Sequence, residues 1–217
     1  MTVELVNVFD QLANIAQIVR RCPTITLSRA YVRAYRDFCS QTMWLRINIP
    51  GATEANVRQY NLGSDPVLEI IGVRAMQGSW TPATTEQFWG MSPSDPTQWD
   101  PNMRPGQPVR FAYIPHGQIA LDPIPKQVYQ LLVSAVVQPK TETVTQIPSE
   151  CLAKYSNEIE SGALAYLLSI PGQPWSNPVL AQTYKREFSS AVANAKADVQ
   201  RNFQMGSQRV RPRGFVR

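Results

Sequence analysis

What this 217-residue sequence lacks narrows its function before any motif is considered. No run of about twenty apolar residues occurs, so no segment is expected to span a membrane. The opening stretch MTVELVNVFDQL is amphipathic and carries acids, where a secretory leader has a basic patch followed by an apolar run. No signal peptide is expected. Cysteine is scarce. Cys22, Cys39 and Cys151 are widely spaced and odd in number, and no CxxC or Cys/His pairing suggests a disulfide framework or a zinc site. Cys39 falls among apolar helix positions, so buried thiols without chemistry are expected.

Catalytic and cofactor-binding patterns are missing as well. His116 is the single histidine, and in the context IPHGQ it has no Ser/Asp or Cys partner pattern, so a turn role is expected of it. Neither the phosphate-binding P-loop pattern nor the dinucleotide-binding GxGxxG is present. Asp65, Asp95, Asp100 and Asp122 each precede a proline, a context in which carboxylates close Asx turns. Glu158 and Glu160 stand two apart on a helix and do not face one site together. We therefore expect no catalytic residues, no metal and no cofactor.

The sequence is rich in paired helical surface. From Ser161 to Phe188 it holds two amphipathic segments and a stiff corner. Before the corner, Tyr155, Ile159, Gly162, Ala163, Tyr166, Leu167 and Ile170 recur at helical spacing on one face. After it, Ala181, Tyr184, Phe188, Ala191, Ala195 and Val199 do the same, with Asn177 or Ser176 suited to N-cap and Pro178 to the first helical position. Between them, Pro171, Gly172, Gln173, Pro174 and Trp175 place a stop, a flexible residue and a φ-restricted residue in succession. A helical hairpin is expected.

Toward the N-terminus, Val6, Phe9, Leu12, Ala13, Ala16 and Ile18 to Val19 predict a first helix ending before Cys22-Pro23. A second follows, with Thr26 as N-cap, Leu27, Tyr31, Ala34, Tyr35 and Phe38 inward, and Arg29, Arg33, Arg36 and Asp37 outward. Residues 44–139 switch to strand periodicity, with candidates at 43–49, 67–76, 109–114, 118–121 and 128–137. Pro115-His116-Gly117 predicts a hairpin turn. The stretch 78–108 reads as an irregular excursion with a short helix over 82–90. Its Trp80, Trp89 and Trp99 either cap the sheet or offer a stacking surface.

The fold expected from this order is α+β. Two N-terminal and two C-terminal helices form a four-helix bundle (1–42 and 148–204), an antiparallel β lobe is inserted (43–147), and a basic arm extends at the end (205–217). Net charge is +5 and falls to +1 when Arg209, Arg211, Arg213 and Arg217 are set aside. That arm, GSQRVRPRGFVR, has no apolar period, and its arginines suit nucleic acid or an acidic protein surface. Residue physics alone leads to an oligomeric interaction protein.

Two segments carry a family resemblance. YVRAYRDFCSQTMW (31–44) and GALAYLLSIPGQPWSNPVLAQTYKREFSSAVANA (162–195), with the strand ending Ala120-Leu121-Asp122-Pro123-Ile124-Pro125 between them, resemble the head-to-tail adaptor proteins of tailed bacteriophages, related to tail tubular protein A. The resemblance implies a non-enzymatic virion protein of the tail or neck, assembled in the host cytoplasm. It implies a ring of twelve copies joining the portal protein to the tail nozzle protein, with tail fibres as a further candidate partner. Genomic DNA would pass through the lumen without sequence-specific binding, and no membrane is involved. Phe215 and the four arm arginines are the expected portal contact. The loop 78–108 and the arm depart from the family pattern. A second reading, a DNA-binding protein using the arm and the aromatic loop, predicts salt-dependent binding of duplex.

Overall fold

The structure, a computed structural model, describes residues 4–63, 65–79, 88–100 and 103–201. Its first long helix, α2 (Thr24–Thr42), follows a shorter α1 (Ala13–Ile18) and buries Leu27, Tyr31, Ala34, Tyr35 and Phe38, as their spacing predicts. Arg29 and Arg33 face outward. Helix α2 begins at Pro23, whose ring sets φ, and no side chain caps it; Thr26 lies inside the first turn instead of capping it. The helix stops where Met43 takes left-handed backbone, φ 54°.

The expected N-terminal helix is mostly replaced. Residues Leu5–Asn7 form strand β1, antiparallel to β9 (Gln146–Pro148), and Val8–Gln11 form a single 3-10 turn. Two partners compete with the helix: the Asn7 carboxamide accepts from the Phe9 N–H at 3.0 Å, and the distant strand β9 pairs with residues 5–7, so the backbone finds bonds that a helix beginning at Val6 would forgo. The buried stripe is accordingly Val8, Leu12, Ile15 and Val19, while Phe9 and Ile18 are exposed.

Seven strands form one curled sheet. They are β2 (Arg46–Ala52), β3 (Gln59–Asn61), β4 (Leu68–Ser79), β5 (Phe88–Pro93), β6 (Arg110–Ile114), β7 (Gln118–Asp122) and β8 (Gln130–Pro139), in the order β2-β8-β4-β5-β6-β7-β3. Pairing is antiparallel except between β5 and β6, so the sheet is mixed where an antiparallel lobe was expected. Bulges in β4 near Gly72 and Ala75 add local twist and help the sheet curl. Gly90, expected to end a short helix, lies in β5, and residues 80–87 fall outside the described range. The β6–β7 hairpin forms as read: Ile114 pairs with Gln118, and His116 and Gly117 supply the positive φ values, 70° and 73°.

The four-helix bundle with an inserted lobe is not what forms. Three substantial helices, α2, α3 (Leu152–Ser169) and α4 (Pro178–Gln200), pack together, and the sheet dominates the molecule. With α1 only six residues long, the missing fourth helix is replaced by the sheet itself. Leu45, Leu68, Val137 and Ile147 from the β region join the helical core around Phe38 and Tyr155. Helix α2 thus buries its apolar face against both strand β8 and helix α3. A second apolar cluster, including Met76, Met91, Phe111, Leu121 and Val133, fills the curl of the sheet.

Candidate functional site

The α3–α4 hairpin is held closely enough to act as a fixed platform. Gly162 lets the two helices approach, since a Cβ there would stand 2.7 Å from the Phe188 ring and 3.1 Å from Ala34. Ser161 Oγ donates to Glu187 at 2.9 Å across the same seam. Most of the expected inward positions of α3 are buried or half-buried, but Tyr166 is exposed, with the Arg33 guanidinium 4.4 Å from its ring centroid.

The corner contains Pro171, Gly172, Pro174, Trp175 and Pro178, and backbone bonds define it. Gly172 has φ 75°, which a Cβ-bearing residue adopts only with strain. The Asn177 N–H donates to the Leu168 carbonyl at 2.9 Å, and that of Ser176 to Gln173 at 3.0 Å. Asn177 then caps α4 by accepting from the Leu180 N–H at 3.1 Å, with Pro178 at the first turn as its sequence predicts. The three prolines and Gly172 are exposed, whereas Trp175 is half-buried against the helical core and its buried indole N–H has no protein partner.

Above the platform lies a groove of about 890 Å³ between α2, α3 and α4. Ala34, Gly162, Ala165 and Ala181 give it a floor of small residues, and Arg33, Asp37, Lys185 and Lys196 give it charge. Burial raises the Asp37 carboxyl, against the opposing pull of Arg33 and Arg36. Near the C-terminal end of α4, Asp198 accepts from Lys154 Nζ at 2.5 Å and from the Tyr155 hydroxyl at 3.1 Å. The lysine bond holds the Asp198 carboxyl below its ordinary range and lifts Lys154.

The aromatic loop caps the sheet. Trp89 donates its indole N–H to the Pro108 carbonyl at 2.7 Å and meets Tyr129 edge-on at 5.5 Å. Trp99 is buried and donates to Ser94 Oγ at 2.7 Å. Trp80 lies outside the described residues, as do Arg209, Arg211, Arg213, Phe215 and Arg217.

Asp65 and Asp95 close turns as expected, accepting from the N–H groups of Val67 and Thr97. Asp122 does not. It is fully buried and paired with Arg110, its cross-strand partner, with Arg58 at 4.0 Å. This pair was missed in sequence, although a three-residue hairpin at 115–117 sets 110 opposite 122. Cys39 and Cys151 are buried with their sulfurs 4.0 Å apart, and burial pushes the Cys39 thiol up, away from reactive thiolate character. Among the described residues no cluster of His, Cys, Asp or Glu is placed to hold a metal ion, and no helix is long and apolar enough to cross a membrane.

A helical platform with a groove, sharing its core with a capped sheet, describes a protein built around contact surfaces. The chain belongs to the SU10 adaptor protein family, whose family model matches residues 5–213. It is therefore a phage structural adaptor, in keeping with the head-to-tail adaptor resemblance, and the family is not an enzyme class. The match runs through Arg209, Arg211 and Arg213 but stops short of Phe215 and Arg217. No curated protein matches the chain.

Proposed function

We propose that this protein is the head-to-tail adaptor that forms a ring, twelve copies in number, between the portal and the tail nozzle of a tailed phage. The observation that carries this reading is the family match over nearly the whole chain. The ring surrounds the passage through which genomic DNA leaves, and it is added in the host cytoplasm to become part of the virion neck. A closed ring repeats one heterologous interface, which requires two different faces on each subunit. Helices with small residues at their surface, such as Ala165 and Ala193, suit such contacts. Outside the arm the chain carries only +1, which agrees with DNA sliding past without phosphate clamps. The packing of Trp89 and Trp99 removes two of the three rings on which the DNA-binding reading relied.

Within this reading the arm docks on the portal or on an adjacent adaptor, where arginine forks pair with carboxylates. Deleting residues 206–217 is expected to leave the body folded and to weaken attachment to the portal, with high salt reproducing part of the loss in the full chain. Equal portal binding by truncated and full-length protein at both low and high salt contradicts the docking role. Imaging the neck of the particle tests the wider reading, because the adaptor must occupy a ring between portal and nozzle.

A further inference from the structure

The helical platform carries opposite charge on its two flanks. On one flank, the groove sets Arg33, Lys185 and Lys196 against a single carboxylate, Asp37. On the other, a shallower depression of about 390 Å³ between α3 and α4 is lined by Glu158 and Glu187 with Asn157, Ser190 and Asn194, and by no cation. The helical period accounts for the separation. At about 100° per residue, Lys185 and Lys196 fall on nearly the same side of α4, while Glu187 points about 160° away from Lys185. The buried stripe of Ala181, Ala191, Ala195 and Val199 runs between them, so both flanks are free to face neighbours. Lys185, Lys196 and Glu187 are exposed, and Glu158 is half-buried.

We propose that these flanks are the two halves of the contact between adjacent copies of this chain, the basic groove of one copy receiving the acidic α3–α4 edge of the next. The proposal rests on the ring reading above and specifies its interface. Opposite charges on opposite flanks let one copy dock on the next in a single sense around the ring, and they disfavour groove-to-groove or edge-to-edge pairing. The small residues on the groove floor leave room for the incoming helix edge. A nucleic acid in the groove would meet Asp37 and would leave the acidic flank without a role.

The test uses two charge-reversed full-length variants, K185E/K196E and E158K/E187K, followed by sedimentation velocity alone and on the portal. The wild type is expected to assemble on the portal. Each variant alone is expected to lose assembly, because its two flanks then carry the same sign. An equimolar mixture is expected to regain it, since the reversed groove of one matches the reversed edge of the other. Thermal melting of each variant checks the fold, and a variant that melts early is replaced by its neutral counterpart, K185Q/K196Q or E158Q/E187Q, for which weakened assembly is expected. Assembly of either folded variant at the wild-type level overturns the proposal, as does failure of the folded mixture to recover. A wild type that stays monomeric even on the portal overturns the ring reading and this interface with it, whereas rings that tolerate both reversals overturn the interface alone.

Discussion

At Gly162 the helices α3 and α4 come so close that a single methyl group has no free space. Replacing it with alanine favours the helix by about 1 kcal/mol of propensity. Against that stands overpacking on the Phe188 ring and Ala34, on the order of 1 to 3 kcal/mol. Gly162→Ala is therefore expected to destabilise the protein by about 1 kcal/mol, read as a lower midpoint in denaturant; a higher midpoint would show that Phe188 yields freely. Asp198 gives a pH-dependent counterpart. Its carboxyl is held down chiefly by Lys154, so the stability it contributes is present above the ordinary carboxylate value of about 3.9 and is lost as pH falls through its lowered one. Wild type should melt above Asp198→Asn at neutral pH, and the two should converge in acid. A gap that persists unchanged at low pH would assign the effect to packing. Residue-level chemistry was partly legible in the sequence. The Asx turns at Asp65 and Asp95 were readable from Asp-Pro, whereas the burial of Asp122 depends on how its hairpin packs against distant segments such as that of Arg58, which local sequence does not reveal.

Among the elements, the corner between α3 and α4 makes the clearest demand on a side chain. Full burial of a tryptophan would make its truncation to alanine cost about 3 to 5 kcal/mol, but Trp175 is only half-buried, so roughly 2 kcal/mol is expected. Trp175→Phe should cost less than Trp175→Ala, because it keeps much of the ring and removes an indole N–H that has no protein partner. Equal melting temperatures for wild type and Trp175→Ala would mean that the backbone bonds at Leu168 and Gln173, with the Asn177 cap, fix the corner unaided. This hairpin was legible because its signals are local: helical period, Asn cap, Pro at the first turn, Gly at positive φ. The N-terminal helix was misread because its outcome is not local. Its apolar spacing is nearly helical, yet the Asn7 side chain and the distant strand β9 take the backbone first.

For the molecule as a whole, the sequence indicated that helix and strand are both present, but neither the dominance of the sheet nor how the two pack. Two helical pairs flanking a β region invited a bundle, and the actual core instead joins α2 and α3 to strand β8. Strand order and the parallel β5–β6 pairing are set by contacts far apart in sequence, which periodicity does not encode. This shared core couples sheet and helices. The proposed docking of the arm would extend the account to the portal; the family match reaches into the arm as far as Arg213. The central claim, a ring on the portal, is tested most directly by the mass of the purified portal–adaptor complex. The account predicts one adaptor per portal subunit. A stoichiometry far from one to one, or a portal that recovers no adaptor at all, would contradict it.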